Sequence, residues 1–399
     1  MKMNVENIKK EIECGQTILG IEFGSTRIKA VLINSKNEPI AQGGYDWENS
    51  LKDGIWTYSV EEIMAGLSGC YAKMKADVKE KYGLTLKKIK SLGISAMMHG
   101  YLAFNKENEL LVPFRTWRNT ITGKASAELS SLFNYPVPER WSISHLYQAI
   151  LNNEEHVSQV NFFTTLAGFI HWKLTDKKVL GVGDASGMFP IDISTGSYNK
   201  KFIQEFDNLI KDRNFSWKLE QILPEILFAG KNAGTLTVQG TKLLDKDGDL
   251  EAGVPLCPPE GDAGTGMTAT NSVAKRTGNI SAGTSVFAMV VLEKDLSKAY
   301  NGIIDLVTTP DGALVAMAHA NNCTGEYDHW IKLFGEAIEA TGNSVSKGKL
   351  YDSLLTLALK GDKDCGGLIP YNYISGESIT QMNEGRPLFV RTQKNNFTL

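Results

Sequence analysis

Two apolar runs, ILGI and IKAVLI, lie within "ILGIEFGSTRIKAVLINS" (residues 18–35). The small turn Phe23-Gly24-Ser25-Thr26 joins them. Short apolar runs bounded by turn residues read as strands. A third run, Ile40 to Tyr45, follows the break Ser35-Lys36-Asn37-Glu38-Pro39, so the pattern predicts a three-strand antiparallel meander. The spacing then lengthens. Ile63, Leu67, Tyr71, Met74 and Val78 share one helical face, Ser59 reads as the N-cap with Glu61 and Glu62 in the first turn, and Tyr82-Gly83 ends the helix. Lys88–Ala96 returns to strand. The middle, Thr116 to Leu227, reads as largely helical, with apolar residues at helical intervals in His145–Leu151, Thr164–Leu174 and Lys200–Ile210. Near the last third, "TGNISAGTSVFAMVVL" (Thr277–Leu292) repeats the opening strand–turn–strand design, with Gly283-Thr284-Ser285 at its turn.

Length and charge narrow the classes. A chain of 399 residues is long for one core, so two domains are expected, and 42% hydrophobic with 22% charged residues is the composition of a globular protein. A net charge of −3 offers no field for nucleic acid or an anionic membrane surface. No apolar run spans a bilayer, and the polar N-terminal segment has no hydrophobic signal core. Five dispersed cysteines without a CxxC or zinc spacing suit a reducing cytoplasm, the expected location. The expected partner is therefore a small molecule, with a second copy of the chain left open as a homodimer.

The chemistry is carried by small polar turns and a few acids. A turn that clusters backbone N–H groups, hydroxyls and a carboxylate can hold phosphate and its metal ion; an ordinary turn with hydroxyl caps explains Gly24-Ser25-Thr26 equally well on local grounds. Asp262 lies in "PPEGDAGTGMTATN", a run of small residues that admits close approach of a ligand. Its other reading is the cap of a helix starting near Ala263. Phosphoryl transfer needs positioning, charge compensation and a carboxylate to accept the proton of the attacking hydroxyl.

Seven stretches, in order, resemble the FGGY-type carbohydrate kinases, and within them the ketopentose kinases. They are "GIEFGSTRIKAVL", "GISAMMHG", "VPFRTWRNT", "LTDKKVLGVGDASGMFPID", "PEGDAGTGM", "NISAGTSVF" and "GGLIPYNYISGE". The resemblance implies an α/β chain with two ribonuclease-H-like, actin-like ATPase domains around a cleft, an N-terminal one over 17–270 and a partial C-terminal one over 271–399. It implies Asp262 as general base, and Gly24, Ser25, Thr26 and Lys29 with Gly283, Thr284 and Ser285 as two phosphate loops gripping ATP from both sides. Met98, His99, Trp117, Arg118 and Asn119 fall on the sugar-binding positions, and Glu22 on the site of a Mg²⁺ ligand. The implied activity is ATP-dependent phosphorylation of a ketopentose, xylulose or ribulose, at its terminal hydroxyl. A non-catalytic sugar-binding or sugar-sensing protein on the same fold is the alternative.

Three departures accompany the resemblance. Glu22 stands where the family usually has Asp, and Trp117-Arg118-Asn119 replaces the more usual Trp-Asn-Asp, which brings a guanidinium to the sugar. No Gly-rich adenine-binding segment follows Gly366-Gly367 before the chain reads out at "RTQKNNFTL". The expectation is a C-terminally truncated chain with an incomplete second domain that binds sugar but holds ATP weakly and turns over little.

Overall fold

The computed structural model describes residues 5–283, 285–371, 373, 376, 377, 380, 382, 385, 388–391 and 393. The opening runs form β1 (Ile18–Phe23) and β2 (Arg27–Ile33), paired antiparallel from Ile18 opposite Ile33 to Phe23 opposite Ile28. The meander closes with β3 (Pro39–Asp46). Alternation decides its faces: Leu19, Ile21, Phe23, Ile28, Ala30 and Leu32 are buried, while Arg27 and Lys29 are exposed.

A 23-residue helix, Val60–Tyr82, packs on this sheet. Ser59 caps it through a reciprocal box with Glu62, and Gly83 ends it in the left-handed region at φ 74°. Ile63, Leu67, Tyr71, Met74 and Val78, the face read from the sequence, are all fully buried. Strand β4 (Ser91–Ala96) then pairs parallel to β1, and the two-residue β5 (Glu260–Gly261) pairs parallel to β4, giving the sheet order β5-β4-β1-β2-β3. The α/β order expected from the sequence is the one observed.

Two differences are informative. The helix Val5–Glu13 lies in the segment read only as polar; two of its apolar residues, Ile8 and Ile12, one turn apart, are buried in the core, while Val5 is exposed. The stretch 116–227 is less helical than expected. It holds helices Gly123–Phe133, Ser142–Leu151, Leu166–Thr175 and Lys200–Leu209, but also strands Phe162–Thr164, Val179–Gly181 and Glu225–Leu227. Buried short strands read as continuous apolar runs, which periodicity cannot tell from buried helix.

The chain divides into two units, the first Met1–Thr277 with Val290–Asn301 and Asp305–Ala316, the second Gly278–Met289 with Gly302–Ile304 and Met317–Leu399. In the second, the echo of the opening stretch is a strand Gly278–Ala282, a turn and a strand Val286–Val291, followed by helices Thr324–Glu339 and Lys347–Ala358. Among the described residues, no helix is long and apolar enough to cross a membrane, and all five cysteines are free.

Candidate active site

The register of the first sheet brings three chain segments to one edge. Phe23 and Gly261 both align with Ala96, so the parallel strands β1, β4 and β5 end level. The residues that follow them are Gly24, Met97-Met98-His99 and Asp262. The carboxyl edge of parallel strands is where open α/β sheets bind ligands, because the chain must turn there and leaves backbone groups and side chains free of the ladder.

Asp262 is the first residue of the helix Asp262–Ala269, whose N-cap position is Gly261. Its Oδ1 accepts from the Met98 N–H at 3.3 Å and from its neighbour Ala263 at 2.9 Å. Neither bond closes the helix end in the manner of a cap, which would accept from the second or third helical N–H. Gly261 is required here, since a Cβ on it would lie 2.1 Å from Met98 Cγ. Burial lifts the Asp262 carboxyl to about 6, with Glu22 adding to the rise and the two N–H donors opposing it.

Two further acids, to which the sequence reading gave no role, stand behind it. Glu260, buried on β5, accepts from the Gly183 and Asp184 N–H groups at 3.2 and 2.9 Å. Gly181 and Gly183 leave room for it, a Cβ on either falling within 2.5 Å of its carboxylate. Asp184, fully buried, accepts from the Thr165 hydroxyl through Oδ2, while its Oδ1 has no hydrogen-bond partner. Burial pushes Glu260 up to about 8 and Asp184 to about 7; Asp184 adds to the first shift and Asp262 to the second. A signal was present in the sequence: an acid between Pro259 and Gly261, and another in the Gly-Asp-Ala-Ser-Gly run, each amid apolar or small residues.

A stability prediction follows. Unfolded, Glu260 and Asp184 lose their protons near their ordinary values; folded, they keep them to about 8 and 7. The native state therefore binds more protons than the unfolded one across that window, and stability falls as pH rises. The melting temperature of unit 1 is expected to drop between pH 5 and 8. Glu260→Gln should flatten the slope and raise the melting temperature at pH 8, whereas an unchanged slope would remove Glu260 from this role.

On the sugar-expected side, His99 is buried at φ 71°, its Nδ1 is 3.2 Å from the Gly187 carbonyl, and Met98 is buried beside it. The turn is held from behind: Gly100 N–H donates to the Arg140 carbonyl, and the half-buried Arg140 pairs with Asp305. Trp117 is half-buried, and its indole N–H donates to Ser25 Oγ at 3.3 Å, tying its loop to the β1–β2 turn. Arg118 is exposed and stacks on Trp56, 3.8 Å from the ring centroid. Asn119 is buried, and its amide is spent on backbone: Oδ1 accepts from Trp56 N–H at 2.8 Å, and Nδ2 donates to the Trp56 and Thr116 carbonyls. Trp56, on the short strand Ile55–Thr57, was not singled out from the sequence because an isolated Trp in a polar stretch carries no periodic signal.

On the phosphate-expected side, Gly24 N–H donates to the Arg27 carbonyl, closing a tight turn that places Ser25 and Thr26 at its tip, and Tyr58 hydroxyl holds the Ser25 carbonyl at 2.6 Å. Glu22 and Lys29 are cross-strand neighbours with Nζ and Oε1 3.6 Å apart. In the second unit, Gly283 accepts from the Thr324 N–H and hydroxyl, and Ser285 Oγ lies 3.1 Å from His319 Nε2. Thr284, and Asn372, Ile374 and Ser375 of the C-terminal motif, lie outside the described residues.

Comparison with known proteins decides the family. The N-terminal domain of the FGGY family of carbohydrate kinases matches residues 17–266, and its C-terminal domain matches residues 278–399. The chain belongs to the FGGY family of carbohydrate kinases. This FGGY chain is 23% identical over 381 residues to the xylulose kinase of Klebsiella pneumoniae, covering 92% of itself and 70% of that protein. It is 21% identical over 313 residues to the xylulose kinase of Escherichia coli strain K12, covering 76% of itself and 57% of that protein. The crystal structure of ligand-bound xylulose kinase from Lactobacillus acidophilus superposes with a TM-score of 0.75 at 16% identity, over 94% of this chain and 72% of that one. At that identity the likeness is one of fold, the two-domain α/β fold of these kinases.

Proposed function

We propose that the protein transfers the γ-phosphoryl group of ATP to the terminal hydroxyl of a small linear sugar, with the ketopentoses xylulose and ribulose as first candidates. The observation that carries the reading is the level ending of β1, β4 and β5, which sets Asp262, Met98-His99 and the Gly24–Thr26 turn at one edge. Two curated relatives named xylulose kinase support the choice of acceptor.

In this reading Asp262 accepts the proton of the sugar hydroxyl as its oxygen bonds to phosphorus, and the bond from phosphorus to the ADP oxygen breaks. A carboxyl at about 6 is ionised near neutrality, yet basic enough to take that proton. Met98 and His99 line the acceptor, and Trp117 packs against it while its indole fixes the Ser25 turn. Asn119 acts at one remove, by holding Trp56. Ser25, Thr26 and Lys29 contact phosphate. Glu22 fits a Mg²⁺ ligand, being a partly exposed carboxylate at the end of β1, and Mg²⁺ characteristically takes one or two carboxylates with phosphate oxygens. The ion would offset phosphate charge.

The test is a coupled ADP-release screen against pentuloses, hexuloses and polyols. ADP release dependent on one acceptor is the expected outcome. Sugar binding by calorimetry with no acceptor-dependent release would favour the non-catalytic reading instead. Titration of ATP and Mg²⁺ into the same chain measures the nucleotide affinity.

A further inference from the structure

Arg118 stands apart from the other cations around the site edge. Arg27 pairs with Asp46, Lys29 with Glu22, Arg115 with Glu154 and Arg140 with Asp305. Among the described residues, Arg118 forms no ion pair with a carboxylate. It is nonetheless held in place. Its guanidinium lies on the Trp56 ring, and the Trp56 backbone is clamped at both ends of its residue: the N–H by Asn119 Oδ1, the carbonyl by Asn119 Nδ2, Thr116 N–H and Thr116 Oγ1. The next residue back, Trp117, is anchored to Ser25. Three residues of one loop thus fix an exposed guanidinium beside the proposed sugar edge.

A guanidinium stacked on an indole keeps its N–H rim free in the ring plane, the geometry that takes a carboxylate through two parallel hydrogen bonds. Cation–π stacking holds the group without neutralising it. The other side of the site is acidic, with Glu22 near enough to Asp262 to help raise the Asp262 carboxyl. A neutral acceptor needs no fixed cation there, and an anionic one would be repelled without it.

We propose that the preferred acceptor is a linear sugar acid, an aldonate or its keto form. Its carboxylate is taken bidentately by Arg118, and its hydroxyl at the opposite end lies at Asp262. This rests on the sugar-kinase reading and narrows its acceptor from a neutral ketopentose to an acidic one. Arg118 is then the residue that sets specificity, Trp56 its platform and Asn119 the clamp of that platform.

Calorimetry with D-xylonate and D-xylulose, matched in carbon number, tests it on the unaltered chain without requiring turnover. The expected result is D-xylonate at least tenfold tighter than D-xylulose, an advantage that shrinks as salt is raised. Arg118→Met should weaken D-xylonate by tenfold or more while changing D-xylulose less than about threefold, and Arg118→Lys should fall between, retaining charge without the planar fork. Arg118 is exposed, so its variants are expected to melt with the parent, which a thermal scan checks. Binding of D-xylulose in preference to D-xylonate overturns the inference and leaves the kinase reading standing. So does D-xylonate affinity that survives Arg118→Met, or a loss in that variant confined to ATP. Silence from every sugar overturns both.

Discussion

Asp262→Asn is expected to lower phosphoryl transfer by about 10²-fold or more while leaving acceptor binding within a few-fold. The substitution is close to isosteric. Both N–H donors, from Met98 and Ala263, bond the same oxygen, Oδ1, and the amide oxygen of asparagine can accept from them in turn. The helix Asp262–Ala269 and the turn at Met98 therefore keep their places, and the loss is that of a group able to take a proton. The parent should also lose kcat/KM below about pH 6, as protonation of Asp262 removes the base, and the variant should lose that limb. Parallel assays of kcat, KM and calorimetric affinity check this. Near-parental turnover in the variant would remove Asp262 from the chemistry.

The largest stability effect is expected at Lys75, on the inner side of the helix Val60–Tyr82. Its ammonium meets Asp245 at 2.9 Å, Asp247 at 3.0 Å and Asp249 at 2.6 Å, and the Asp245 side chain is only 2% exposed. The three acids hold the lysine's proton well above the ordinary range, against the opposing pull of burial. Removing one partner of a buried pair leaves the other as an uncompensated charge, which costs about 3–5 kcal/mol. Lys75→Met should thus lower the melting temperature by roughly 10 °C, at about 2–4 °C per kcal/mol for a domain of this size class. Adding Asp245→Asn should recover part of the loss, because the stranded charge goes with it. A double variant no more stable than Lys75→Met would show that the aspartate's bonds to the Asp249 and Leu250 N–H groups matter more than its charge.

The two halves of the site were unequally visible in the sequence. The meander, the capped helix and the Gly24–Thr26 turn depend on local signals, alternation, a capping box and a glycine, and these are written within a few residues of one another. The level ending of β1, β4 and β5 depends on pairing across more than 160 positions between Ala96 and Gly261, which no local pattern records. Asp262, Met98 and His99 stood out through their motifs, but that Met98 holds the Asp262 carboxylate did not. Glu260 and Asp184 were hidden because each looks like an ordinary acid beside glycine; only the fold shows that those glycines make room for Glu260 and that, among the described residues, neither carboxyl forms an ion pair. Trp117, Arg118 and Asn119 were read as one group of sugar contacts. The structure separates their work, one touching the Ser25 turn, one exposed on Trp56, one buried against backbone.

The central claim is that the carboxyl edge of β1, β4 and β5 presents a sugar hydroxyl to Asp262, and a crystal structure of the chain with D-xylulose or D-xylonate tests it most directly. The account predicts a terminal hydroxyl at about 2.6–3.2 Å from the Asp262 carboxylate, the range a general base requires, with the rest of the ligand against Met98, His99 and Trp117. A ligand seated away from that edge, with no hydroxyl near Asp262, would contradict it.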